Sequence, residues 1–206
     1  MTYIVVVLVT VLVSMTIHEA MHAYVSYWLG DDTAQAQGRL TLNPLAHIDP
    51  FMTLILPVVL AVSGLPPFGA AKPVPFNPQR VRYGEFGAAM VGLAGPLTNF
   101  ILAFLLFAVY VFSGTPGGLF GGILITGVGV NLGFFVFNML PVPPLDGSRL
   151  LYALAPDWVR RGMEKIETYG IVVVFVLLLL AGSYVGSFMG SAIEFFFHLF
   201  ESLFGI

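Results

Sequence analysis

The sequence predicts an all-α polytopic membrane protein of about five to six membrane helices, with short re-entrant or edge β segments between them. Three observations carry this. Only 9% of the 206 residues are charged and 58% are hydrophobic, whereas a soluble domain carries about 25% charged residues. The mean hydropathy is +0.93. Apolar runs of membrane-spanning length recur along the chain, broken by Pro- and Gly-rich stretches. The net charge of −3 says little, but 8 Lys and Arg residues are too few for nucleic acid as a partner, and the apolar composition implies the lipid bilayer. There is no cysteine, so any metal must be held by histidine and carboxylate.

Residues 3–28 form the first apolar run. At about 1.5 Å per residue it crosses a hydrocarbon core of about 30 Å. No basic region precedes it, so a retained helix is expected rather than a cleaved leader. Tyr27 and Trp28 mark an interface, and Gly30-Asp31-Asp32 ends the helix. Residues 33–42, TAQAQGRLTL, alternate polar and apolar, which predicts a half-buried strand that Asn43-Pro44 breaks. Residues 51–65 are apolar but short, contain Pro57 and precede Pro66-Pro67. They fit a re-entrant or tilted helix better than a full span. Residues 69–78 are punctuated by proline and read as an edge strand or extended loop.

Residues 86–112 are a clear span, with GLAGPLTN (92–99) offering small residues for close helix packing. Residues 118–140 are the next. The stretch 141–154, PVPPLDGSRLLYAL, is a Pro-rich break and a short helix. Residues 156–168 are polar, with Trp158 as a surface anchor. Residues 170–193 form a last span, and the aromatic tail 188–206 is expected to face lipid or the interface. One domain, 1–206, accounts for the chain: a core of about 3–155 and C-terminal helices of about 156–206.

Residues 1–17 carry no charge, yet the same helix continues as His18-Glu19-Ala20-Met21-His22. Positions i and i+4 share one helix face, so two imidazoles can grip one tetrahedral Zn²⁺ while the adjacent glutamate reaches for a proton of water. The bland alternative is a pair of core histidines. It would leave three ionisable groups inside a membrane helix with no metal to offset their desolvation. A catalytic zinc needs a third protein ligand and an open position. The candidates are His47, Asp49, Glu85, Asp146 and the remote His198. Asp146 stands out because it follows the Pro-rich break and precedes Gly147, which permits a tight turn. The bland alternative is that it caps the helix SRLLYAL, but a cap alone would not explain the preceding NMLPVPPL. His47 and Asp49 read better as residues that shape their loop.

Basic residues cluster at Lys72, Arg80 and Arg82 and at Arg149, Arg160, Arg161 and Lys165. The positive-inside rule puts both clusters in the cytoplasm, with Asp146 near that side. If 51–65 dips in and returns, His18 lies on the same half of the membrane as Asp146. If it crosses, the two are separated. The first arrangement lets the ionisable groups meet and is the one expected. A metal transporter would spread its ligands along a pathway, often in two related halves, whereas this chain has one cluster. A sequestering relative without activity would keep the same pocket, and only an assay separates it from an enzyme.

HEAMH, GLAGPLTN and NMLPVPPLDG (138–147), in that order, resemble the site-2 protease family of intramembrane zinc metalloproteases. NPLAHIDP (43–50) and AKPVPFNP (71–78) resemble its short, single-domain prokaryotic branch, without PDZ or CBS domains. The resemblance covers about residues 10–155. It implies His18, His22 and Asp146 as ligands of one Zn²⁺, Glu19 as general base, and Asn138 as an active-site asparagine that supports the oxyanion or holds substrate. For Asn99 it implies a small polar residue, with helix packing as an equal alternative. It also implies transmembrane protein or peptide substrates, and a multi-pass protein of the cell membrane with its active site toward the cytoplasm.

Overall fold

The computed structural model describes residues 2–55, 59, 62 and 71–206. Among them, four helices are long and apolar enough to cross a membrane: α1 (Thr2–Trp28), α3 (Gly84–Phe112), α4 (Gly118–Asn138) and α7 (Ile171–Phe204). Three shorter helices join them, α2 (Thr33–Ala36), α5 (Gly147–Leu154) and α6 (Asp157–Glu167). The connection after α2 holds a 3₁₀ turn at Pro44–Ala46 and a π-helical turn at Pro50–Ile55. The expected re-entry of 51–65 lies mostly outside the described residues.

α3 is the central helix and packs against α1, α4, α5 and α7. Its Gly92 explains one close approach. A methyl group there would come within 3.0 Å of Arg149 Cγ and 3.1 Å of the Asp146 carbonyl, so glycine lets α5 lie directly on α3. Far from α5, Ala103, Phe107, Val128, Leu132 and Phe200 form a buried cluster. Phe200 of α7 stacks at 5.4–5.7 Å from Phe104, Phe100 and Phe107. The aromatic tail is therefore not simply lipid-facing as the sequence suggested. α7 kinks at Ala181, and its C-terminal half locks α3 and α4 together through rings spaced three and four apart, which share a helix face. Phe195, at 62% exposure, still faces outward.

The strand expected at 33–42 does not form. α2 takes up its start, Gly38 turns the chain at φ +67°, and Arg39 is buried while Ala36 is exposed. Alternation fails because Arg39 points inward to donate to the Lys72 carbonyl at 2.5 Å. A buried charged group needs such a partner, and finding one outweighs the pattern. Residues 71–77 form no helix, and no strand pairs with them among the described residues.

That segment is tied down at both ends. Lys72 N–H donates to the His47 carbonyl at 2.9 Å. Asn77 N–H donates to Asp31 Oδ2 at 2.6 Å. Asp31 is wholly buried just beyond α1 and also accepts from Ser26 Oγ and from the Thr33 N–H and hydroxyl. Arg82 N–H donates to the Leu29 carbonyl at 2.9 Å, and Leu29, Val81 and Val91 close a small apolar cluster beneath. Burial pushes the Asp31 carboxyl upward, but its donors, the Thr33 hydroxyl first, outweigh that and hold it below the usual carboxylate value. A lowered folded-state value stabilises at pH above about 4, and that contribution disappears as pH falls through the folded value. Asp31→Ala should therefore lower stability by about 2–3 kcal/mol at neutral pH. The loss, read as the thermal midpoint in detergent, should shrink in acid.

Candidate metal centre

His18 and His22 lie one turn apart on α1, both buried, with ring centroids 4.7 Å apart. Asp146 immediately precedes α5, yet its side chain makes no capping bond to that helix. It turns instead to the histidines: Oδ2 lies 3.1 Å from His18 Nε2 and 3.4 Å from His22 Nε2. The capping alternative for Asp146 is thereby set aside. Gly147 makes the turn possible, because a Cβ there would come within 2.8 Å of Met139 Cα and closer still to its carbonyl.

The donor chemistry fits a cation. His22 Nδ1–H donates to the Val91 carbonyl at 2.7 Å. His18 Nδ1 is 2.6 Å from Asn99 Oδ1. Both acceptors are oxygens, so each ring carries a proton on Nδ1, and in its neutral form it offers a bare Nε2 lone pair to a cation. Those two lone pairs face each other at 3.0 Å, beside a carboxylate oxygen. Three electron-rich atoms at that spacing repel unless something positive joins them. Around a tetrahedral zinc with bonds of about 2.0–2.1 Å, ligand atoms stand about 3.3 Å apart. Among the described residues this trio is the one group of His and carboxylate side chains converging this way.

Gly95 leaves the space. A methyl group at 95 would lie 2.6 Å from His18 Nε2 and nearer still to His22 Nε2. Glu19 stands beside the trio, lining a cavity of about 310 Å³ with His22, Val74, Phe76, Asp146 and Arg149. Its Oε2 accepts from Val74 N–H at 3.1 Å, so the 71–77 segment lies directly across the glutamate. At the cavity's edge Arg149 pairs with Glu167 of α6 and stacks 5.6 Å over the Phe76 ring.

The profile of peptidase family M50 matches residues 115–181, which include Asp146. A Bacillus subtilis protein named "Putative zinc metalloprotease YwhC" is 42% identical over 186 residues, 86% of this chain and 82% of its own. This chain belongs to peptidase family M50, the site-2 proteases. A Mycolicibacterium smegmatis relative named "Putative zinc metalloprotease Rip2" is 32% identical over 82% of this chain and 64% of its own length. A Methanocaldococcus jannaschii relative of the same description, MJ0611, is 48% identical over 37% of this chain and 39% of its own. No solved structure matches.

The other candidates in this M50 chain fall elsewhere. His47 is buried away from the trio, donating from Nε2 to the Thr41 carbonyl at 2.9 Å with Arg39 Nη2 at 3.4 Å from Nδ1. Asp49 accepts from the Phe51 and Met52 N–H groups, the loop-shaping role expected of it. Glu85 sits in the first turn of α3, where a negative charge suits the helix dipole. His198 is exposed and pairs with Glu201 at 2.8 Å. Asn138 ends α4 and donates to the Phe134 carbonyl of its own helix at 3.0 Å. Asn99, buried on α3, meets the His18 ring through its side-chain oxygen. The Val91 carbonyl, the Val74 amide and Arg149 were not singled out from sequence. The first two are backbone groups, and a side-chain pattern cannot reveal them.

Proposed function

We propose that this chain is a zinc-dependent intramembrane endopeptidase, cutting membrane-protein substrates within or near their transmembrane segments. His18, His22 and Asp146 hold one Zn²⁺, and Glu19 is the general base. The observation that carries this is the trio of converging lone-pair donors with Glu19 beside it in a cavity. Bound there, Zn²⁺ would polarise the scissile carbonyl and acidify water. Glu19 takes the proton of the attacking water and delivers it to the leaving amine. The carboxylate is already hydrogen-bonded, so its orientation is set before substrate arrives.

A peptide bond in a helix is masked by its own hydrogen bonds and must be unwound first. Substrates with weak helix formers at the cut site unwind more cheaply. The extended 72–78 stretch is the remaining candidate for a substrate-binding edge. Pro73 and Pro75 carry no N–H, so there the edge offers carbonyls and accepts from substrate amides. Asn138 is assigned to holding the oxyanion or substrate through the second N–H of its amide, the first being donated to the Phe134 carbonyl.

The active site is assigned to the cytoplasmic half. Arg80 and Arg82 of one basic cluster and Arg149 of the other gather near the C-terminal end of α1. Arg80 pairs with Asp32, Arg82 N–H reaches Leu29, and Arg149 meets Phe76. The positive-inside rule places that end in the cytoplasm.

The test is zinc content and cleavage of a single-span substrate by the purified chain. Wild type should hold one zinc and cut, and chelation should stop cleavage until zinc is restored. Asp146→Ala should weaken zinc binding at least about 100-fold. Normal zinc affinity in that variant would remove Asp146 from the ligand set.

A further inference from the structure

Asn99 does not end the hydrogen-bond path from His18. Its Nδ2 donates to Asn131 Oδ1 of α4 at 2.8 Å, and Asn131 Nδ2 donates to the Gly127 carbonyl at 2.9 Å. Both asparagines are buried, at 0% and 1% exposure. The path crosses α1, α3 and α4 and stops on a backbone carbonyl.

That terminus gives the path a direction. A carbonyl oxygen can only accept. Asn131 must therefore turn its NH₂ toward Gly127, leaving its oxygen toward Asn99. Asn99 must then turn its NH₂ toward Asn131 and its oxygen toward His18. The His18 proton must in turn sit on Nδ1, leaving Nε2 bare. Reversing any one amide would set two oxygens against each other in a buried site, at the cost of an unpaired polar group.

We propose that Asn131 is a positioning residue that, through Asn99, fixes the tautomer and ring orientation of His18 for metal binding. It touches neither metal nor substrate. His22 reaches the same end in one step, through the Val91 carbonyl. The proposal rests on the zinc assignment above.

The experiment is a double-mutant cycle on the full-length chain, read as zinc affinity by competition with a chromogenic chelator at neutral pH. Thermal midpoints of the metal-free variants are measured alongside. Asn131→Leu should weaken zinc at least about tenfold, the lower end for a lost outer-shell partner. Asn131→Asp should stay near wild type as the neutral acid that burial favours, because its O–H can donate to the Gly127 carbonyl while its other oxygen accepts from Asn99. With Asn99→Leu already present, adding Asn131→Leu should leave zinc affinity unchanged, because the path is already cut. Equal zinc losses in both backgrounds would overturn the relay. So would an Asn131→Leu protein that keeps zinc affinity and loses only thermal stability, the mark of a packing role. If a leucine variant does not accumulate, Asn131→Thr against Asn131→Asp makes the same comparison, because threonine is too short to reach Asn99. A wild type that binds no zinc sinks the metalloprotease reading and the relay with it. A wild type that binds zinc, with an additive cycle, sinks the relay alone.

Discussion

Glu19→Gln is expected to abolish peptide hydrolysis while the metal stays in place. The variant keeps the shape of the side chain and can still accept from Val74 N–H through its amide oxygen, so the 71–77 segment should hold its position. What it lacks is a basic oxygen. A positioned general base contributes about 10²–10⁴-fold, and a loss of that size in kcat is the predicted result. Zinc stoichiometry should be unchanged, because Glu19 lies outside the converging trio. The measurement is kcat on a single-span substrate, with zinc counted in the same preparation. Full activity in a zinc-loaded Gln variant would remove Glu19 from the chemistry.

Gly95→Ala is expected to do the reverse, leaving Glu19 intact and evicting the metal. Alanine is the better helix former by up to about 1 kcal/mol, so α3 itself should not suffer. The added methyl, however, would sit 2.6 Å from His18 Nε2, well inside van der Waals contact. Both imidazoles would have to move, and their places are fixed by Asn99 and Val91. Zinc affinity should fall by two orders of magnitude or more, and cleavage with it. Gly129→Ala on α4 is the control, since a methyl there meets nothing within 4 Å. It should bind zinc normally and be neutral or slightly stabilised. If Gly95→Ala binds zinc like the control, the steric reading of the GLAGPLTN stretch is wrong.

How much of the site was legible in the sequence follows from how local each part is. The His18–His22 pair is a property of one helix, fixed by the i,i+4 geometry before any tertiary contact. Asp146 was legible because a Pro-rich break after a membrane span is conspicuous, although its capping alternative needed coordinates to resolve. Asn131 carried no signal, because it is one polar residue in a Gly-rich apolar run and its meaning comes from helices α1 and α3. Segment 33–42 misled because period two is a weak constraint over ten residues, and the hydrogen bonds open to Arg39 outweighed it. The aromatic tail was read only in part, for the opposite reason. Rings at 196, 200 and 204 suit lipid as well as protein, and only the matching rings at 100, 104 and 107 of α3 show which they chose.

The segment lying across Glu19 is moored twice, at Lys72 and again at Asn77. Such a bridge can bow but cannot swing aside, since the few residues between its moorings reach at most about 18 Å when drawn straight. On the proposed reading, a substrate strand would slide in alongside or beneath it, like thread under a staple. The width of that passage, more than the letters of the substrate, would then set what can be cut.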